Sequence, residues 1–110
     1  MDKKKIGIIG VGNMGGAIAV GLVKSGFVAA SDIFVFDPKE KNLTEMRSMG
    51  ITSCESNKEA VQKSDVVIVA VKPYHIEGVL QEIKPDLSAE KIFISIVAGV
   101  GIEELTRMAG

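Results

Sequence analysis

The chain has 110 residues, of which 46% are hydrophobic and 25% charged, and its formal net charge is −1. This size and composition predict one soluble globular domain with a single core. The near-zero charge argues against a nucleic-acid or anionic-membrane partner, and no apolar run is long enough for a membrane span or matches a signal peptide. The single cysteine, Cys54, excludes an internal disulfide and fits a reducing compartment, so we expect a cytoplasmic protein.

The first predicted element is a short buried strand, Ile6–Ile9, that runs into a glycine-rich turn. Gly10, Gly12 and Gly15 have the G-x-G-x-x-G spacing. In such a unit the first glycine permits the tight turn, the second lets the backbone approach a pyrophosphate, and the third lets helix and strand pack closely. The N–H groups and dipole of the following helix favour phosphate. The spacing alone is weak, but its place between strand and helix predicts a dinucleotide-binding loop. The helix is expected to turn one side inward, made of Ala17, Ile18, Gly21, Leu22 and Val23.

The remaining elements alternate between strand and helix. Apolar runs predict strands at 33–36, 51–53, 66–71 and 92–97. Helical spacing predicts helices at 39–49, after Ser56, at 74–83 and at 102–108, with a glycine loop at 98–101. Gly26 and Gly50 are predicted helix stops, and Ser56 with Glu59 reads as a capping box.

This alternation predicts an α/β fold, a Rossmann-like doubly wound parallel sheet with helices on both faces. The expected strand order is 3-2-1-4-5, which places a ligand crevice at the carboxyl ends of strands one and four. The glycine loop and the turn at 70–73 both fall at this crevice.

Asp37 lies 22 residues after Gly15, at the end of the second strand. In this fold an acidic side chain there accepts hydrogen bonds from the adenosine ribose hydroxyls. Its charge would repel a 2′-phosphate by about 4 kcal/mol at ~4 Å and an effective dielectric of ~20. Lys39 and Lys41 are close enough in sequence to offset part of this repulsion. NAD is therefore favoured and NADP stays open.

Other polar residues near the crevice have two interpretations each. Asn57 either contacts the cofactor or caps its helix, and Lys72 either meets a ribose hydroxyl, phosphate or substrate carboxylate or is exposed to solvent. Tyr74 is equally ambiguous, whereas a surface role is favoured for His75 because no carboxylate partner is evident. The catalytic group stays unknown, and no cluster of metal ligands is evident. Hydride chemistry requires neither, because the nicotinamide carries the reaction.

Three stretches together resemble the pyrroline-5-carboxylate reductase family. They are GVGNMG at 10–15, SDVVIVAVKP at 64–73 and ISIVAGV at 94–100, and the resemblance spans nearly the whole chain. It implies NAD(P)H-dependent reduction of 1-pyrroline-5-carboxylate to L-proline. It also implies cofactor contacts from Ile9, Gly10, Val11, Gly12, Asn13, Met14, Asn57, Ala70, Val71, Lys72 and Pro73, with Ala98 and Gly99 near the nicotinamide. The glycine spacing and the end of the second strand add Gly15, Asp37 and Pro38 to this predicted cofactor site.

The chain departs from that family in two ways. Members often carry small polar or basic residues after the second strand, so Asp37 and Pro38 leave the choice between NADP and NAD open. Members also continue into a helical C-terminal domain that dimerises and forms much of the substrate site. We therefore expect residues 1–110 to be the NAD(P)-binding half of a longer homo-oligomeric enzyme, able to bind dinucleotide but catalytically incomplete.

Two alternatives remain open. One is the cofactor domain of a β-hydroxyacid dehydrogenase of the 3-hydroxyisobutyrate type, which opens with a similar glycine loop. The other is a non-catalytic nucleotide-sensing domain, in which ligand would change the assembly state without turnover. The turn at 70–73 favours the reductase over the hydroxyacid dehydrogenase.

Overall fold

The structure is a computed structural model, and it describes residues 4–88 and 90–96. Within these residues the chain forms a five-stranded parallel sheet in the order β3-β2-β1-β4-β5. Its strands are β1 (Ile6–Ile9), β2 (Ile33–Phe36), β3 (Thr52–Ser53), β4 (Val66–Val69) and β5 (Ile92–Ser95). The predicted fold class and strand order are confirmed. The predicted glycine loop 98–101 and helix 102–108 lie outside the described residues.

Helices connect successive strands along the described chain. They are α1 (Asn13–Lys24), α2 (Glu40–Arg47), α3 (Asn57–Gln62) and α4 (Ile76–Ile83). Short 3₁₀ turns occupy Ala30–Asp32, Pro73–His75 and Lys84–Asp86. None of the helices in the described part of the chain is long and apolar enough to cross a membrane.

Neighbouring residues of the central strands face opposite sides of the sheet and enter two separate cores. Ile8 joins the cluster beneath α1 and α2, whereas Ile9 joins the cluster that contains Leu80 of α4. In β4, Ile68 belongs to the first cluster and Val67 to the second. Burial on both faces explains why these strands read as unbroken apolar runs.

Several predicted boundaries were wrong, because strand pairing ends or a turn intervenes at another residue. β5 ends at Ser95, so residue 96 of the predicted strand 92–97 lies outside it, since Ser95 pairs with Val69, the last residue of β4. β4 ends at Val69 instead of residue 71, since β1 turns away at Gly10 and the last shared bond is that from Ala70 N to Ile9 O, 2.8 Å. Helix α2 covers Glu40–Arg47 instead of 39–49. Residue 51 is not part of β3, because Ile51 N donates to Met46 O at the end of α2 (3.2 Å) and so does not pair with a strand. Helix α4 starts at Ile76 because the 3₁₀ turn Pro73–His75 precedes it.

The inward side of α1 also differs from the prediction. Ala17 and Gly21 are exposed, while Gly15 and Ala19 are buried. The close packing of Gly15 on the loop fixes the rotation of the helix, so its inner stripe runs through residues 15, 18, 19, 22 and 23.

The predicted helix ends agree with the structure in most details. Gly26 and Gly50 follow α1 and α2 with positive φ angles of 74° and 87°. Ser56 caps α3, its Oγ accepting from Glu59 N at 3.0 Å. The capping box is shifted by one residue, because the Glu59 carboxylate accepts from Glu55 N (2.7 Å) instead of from Ser56 N.

Candidate cofactor site

The glycine loop joins β1 to α1 at the carboxyl edge of the sheet. Gly10 has φ +88°, and a β-carbon placed there would lie 2.9 Å from Ala70 O. A β-carbon on Gly15 would lie only 1.8 Å from Gly10 O, whereas one on Gly12 would meet no atom within 4 Å. The structure thus confirms the turn role of Gly10 and the packing role of Gly15. The approach of a pyrophosphate to Gly12 stays a prediction, and the open space there fits it.

The start of α1 offers its N–H groups without a side-chain cap. Its N-cap residue is Gly12, which has no side chain to accept from the first turn, and the first turn contains no acidic residue. The first helical hydrogen bond runs from Gly16 N to Gly12 O (2.8 Å), so the earlier N–H groups lack an intrahelical acceptor. Gly12, Asn13 and Met14 are exposed. These donors and the helix dipole suit an anionic ligand with several oxygen acceptors.

Asp37 lies beside this loop but is bonded to the main chain. Its side chain is largely buried, with 8% of the residue exposed. Oδ2 accepts from Val11 N at 3.0 Å, and Oδ1 accepts from Lys39 N at 2.8 Å. The sequence predicts that this carboxylate faces the ribose hydroxyls, and it carries no signal for these two main-chain bonds. Pro38, next to it, is exposed. The ribose contact stays a prediction.

The turn after β4 lies against the glycine loop, as the crevice prediction requires. The β-carbon position of Gly10 is 3.0 Å from Val71 Cγ1, and that of Gly15 is 3.3 Å from Ala70 Cβ. Ala70 and Val71 are half-buried behind the loop, while Lys72 and Pro73 are exposed. The structure therefore gathers the residues from Ile9 to Gly15, Asp37 and the turn 70–73 at one edge.

The adjoining aromatic pair is exposed. The rings of Tyr74 and His75 lie with centroids 4.3 Å apart, and Tyr74 is 79% exposed. This placement agrees with the surface role favoured for His75.

Asn57 is not brought to the loop by any hydrogen bond within the described residues. As the first residue of α3 it is half-buried, and its Nδ2 donates to Glu82 Oε2 of α4 at 3.1 Å. Ser56 performs the capping that was the alternative for Asn57. Its cofactor contact stays a prediction. Ala98 and Gly99 lie outside the described residues.

Cys54 follows β3 and is buried, and its N–H donates to Val35 O at 2.7 Å. Burial raises the pKa of its thiol from 9.0 to about 11, and the Glu59 carboxylate adds to the shift. A thiol with so high a pKa is a poor nucleophile. Across residues 4–88 and 90–96, no cluster of three His, Cys, Asp or Glu side chains could hold a metal ion.

A glycine turn and an uncapped helix start, at the switch point between β1 and β4 of a parallel sheet, define a domain of the Rossmann type. The chain belongs to the family described as NADP oxidoreductase, coenzyme F420-dependent, whose sequence profile matches residues 5–99.

The chain is also similar to pyrroline-5-carboxylate reductases, so the resemblance found in the sequence is confirmed. It is 40% identical to the enzyme of Escherichia coli K12 over 109 residues, which is 98% of this chain and 40% of the relative. The pyrroline-5-carboxylate reductase of Coxiella burnetii superimposes with a TM-score of 0.92 at 32% identity, over 99% of this chain and 41% of that one. The pyrroline carboxylate reductase of Plasmodium falciparum with NADP bound gives 0.87 at 34% identity, over 100% and 39%. The chain thus spans about two fifths of the length of these relatives.

Proposed function

We propose that this chain binds NADPH or NADH along the carboxyl edge of its sheet and is the cofactor-binding part of a pyrroline-5-carboxylate reductase. The observation that carries the proposal is the open space at Gly12 above the uncapped start of α1. The relation to reductases, one of them with NADP bound, supports a nicotinamide dinucleotide as the ligand class.

Each part of the edge would hold a different part of the cofactor. The N–H groups of Asn13 and Met14 are the natural donors to the pyrophosphate, because they start α1 and are exposed. Lys72 would lie toward the nicotinamide end, where its ammonium could meet a ribose hydroxyl or a substrate carboxylate. When bound, the dinucleotide supplies the hydride that reduces the imine carbon of the substrate.

The substrate site and the subunit interface belong, in this proposal, to a helical domain outside these 110 residues. The chain covers about two fifths of the length of its relatives, which supports this division. We therefore expect dinucleotide binding by this chain without proline formation. The complete enzyme would be a cytoplasmic homo-oligomer acting on a small molecule, with neither nucleic acid nor membrane as a partner.

The test is calorimetric titration of the folded 110-residue chain with NADPH and NADH in parallel. A turnover assay with 1-pyrroline-5-carboxylate should accompany it. Saturable binding of at least one dinucleotide without turnover is the expected result. Failure to bind either one would contradict the proposal. Reduction at enzyme-like rates would contradict the assignment of the substrate site to another domain.

The same assay on the complete protein separates the alternative functions. Turnover of the imine substrate supports the reductase. Reaction with a β-hydroxyacid, or a change of assembly state on binding without any turnover, would replace it by the dehydrogenase or the sensing domain.

A further inference from the structure

We propose that Asp37 is a positioning residue that holds the glycine loop in its binding conformation, and that it acts equally on NADH and NADPH. This inference rests on the proposed dinucleotide site. It differs from the ribose-reading role expected of an acidic residue at this place, which acts on the two cofactors in opposite directions.

The first observation is that the Asp37 carboxylate accepts the next main-chain donor after the hydrogen bonds between β1 and β2 end. Gly10 N donates to Phe36 O at 2.9 Å, which is the last main-chain bond between the two segments. The next donor, Val11 N, lies 26 residues from Asp37 in sequence and meets its Oδ2. The side chain thus extends the pairing of β1 and β2 by one residue into the glycine loop.

The second observation is that the Val11 N–H, which donates to this carboxylate, belongs to a buried residue. Val11 is a core residue that is 2% exposed, and the adjoining carboxylate is itself largely buried. A buried amide that loses its acceptor is destabilised by about 1–3 kcal/mol. Without the carboxylate the loop would have to move to expose the Val11 amide to water. Gly12 and the first turn of α1, where phosphate would bind, come directly after it.

The third observation is that two donors converge on the two oxygens of one carboxylate. Oδ1 accepts from Lys39 N in the turn into α2, so the same group ties that turn to the loop. An asparagine has nearly the same volume but only one acceptor oxygen, and its amino group would face the other N–H. Asp37→Asn therefore breaks one of the two bonds without removing bulk.

The experiment compares Asp37→Asn with Asp65→Asn in the 110-residue chain. Asp65 is a matched control, because it is an exposed aspartate whose Oδ2 accepts from Lys5 N at 3.0 Å on the opposite edge of the sheet. Dissociation constants for NADH and NADPH are measured by calorimetry on folded samples, with thermal unfolding alongside. We expect Asp37→Asn to weaken both cofactors by about tenfold, with little change in their ratio, and Asp65→Asn to leave both constants unchanged.

If Asp37→Asn weakened the NADH complex and strengthened the NADPH complex, the proposal would be overturned, since that pattern is expected of a carboxylate that binds the ribose hydroxyls. Unchanged constants for both cofactors would overturn it as well.

Amide hydrogen exchange in the unaltered chain tests the inference even if Asp37→Asn does not fold. The Val11 amide should be protected without ligand, as a buried donor is, and rapid exchange there would overturn the proposal. If the unaltered chain binds neither dinucleotide while the Val11 amide is protected, the proposed function fails and the loop contact stands.

Discussion

The two edges of the sheet differ in whether their hydrogen-bond donors already bond to other protein atoms. At the amino edge, Asp65 accepts from Lys5 N at 3.0 Å, and Lys91 Nζ donates to Val61 O (3.0 Å) and Ser64 O (2.5 Å). A groove of about 540 Å³ lies there, but these lining groups already bond to protein atoms. At the carboxyl edge, the first turn of α1 has no side-chain cap and Gly12 faces open space. The comparison teaches that uncommitted donors, more than volume, mark the candidate site.

The largest expected effect comes from closing the tightest contact of the carboxyl edge. Gly15→Ala would place a β-carbon 1.8 Å from Gly10 O, an atom of the backbone that cannot move away easily. We expect the free energy of unfolding to fall by about 3 kcal/mol, measured by urea denaturation.

Gly21→Ala is the matched control for that substitution. Gly21 lies in the same helix, is exposed, and has open space at its β-carbon position. Gly21→Ala should raise the free energy of unfolding by about 1 kcal/mol, because alanine favours the helix more than glycine does. Equal effects of the two substitutions would show that the packing of Gly15 on the loop does not matter.

The labelling rate of Cys54, which follows β3, shows whether reagents reach the carboxyl edge of the sheet beyond the glycine loop. Its pKa of about 11, compared with 9.0 for an ordinary thiol, makes the thiolate about 100-fold scarcer at neutral pH. Iodoacetamide should therefore label folded Cys54 at least ~100-fold more slowly than the same residue in denaturant, as followed by mass spectrometry.

The raised pKa of Cys54 also has a consequence for stability. Because the folded state favours the protonated thiol, its contribution is present below pH 9.0 and is lost as the pH rises toward about 11. Cys54→Ala should remove that part of the pH dependence. Rapid labelling of the folded chain would mean that the edge is open beyond the glycine loop.

Lys91 tests the self-contained amino edge. Lys91→Met keeps the length of the side chain but removes the donor to two carbonyl oxygens near the end of α3. Hydrogen bonds from charged groups contribute more to stability than neutral ones do. The free energy of unfolding should therefore fall by about 2 kcal/mol. Dinucleotide affinity of the folded sample should be unchanged. Lys24→Met, at an exposed position in α1, is the control and should change stability only slightly.

The smallest expected change in free energy is the most specific to the site. Gly12→Ala adds a methyl group where no atom lies within 4 Å, so stability should hardly change. The affinity for dinucleotide should fall by about tenfold, because the methyl group would meet the pyrophosphate. Gly78→Ala, also with open space but in α4, should leave affinity unaltered. An unaffected Gly12→Ala complex would place the phosphates elsewhere.

Several features were predictable because they depend on neighbours in sequence. The strand Ile6–Ile9, the turn at Gly10 and the cap at Ser56 involve contacts over a few residues. Unbroken apolar runs also revealed which strands are covered on both faces. The exact end of β4 was missed, since it depends on where the neighbouring β1 turns away.

Other features gave no signal that sequence reasoning could use. The acceptor of Val11 N is a side chain 26 residues away, and Lys91 reaches carbonyl oxygens 27 and 30 residues before it. One partner in each of these bonds is a main-chain atom, which nearly every residue type has. The pattern of residue types in the sequence therefore does not predict the bonds. The exposure of Ala17 and Gly21 was missed for a related reason, because the rotation of α1 is set by the contact of Gly15 with Gly10.

The amino-acid sequence by itself determined the alternation of strands and helices, their parallel order and the position of the glycine loop, because periodicity and glycine spacing act locally. Only the tertiary structure decided which polar groups of that loop stay available and which are already bonded. The buried bonds of Asp37 and the open space at Gly12 arise where segments far apart in the chain meet at one edge of the sheet.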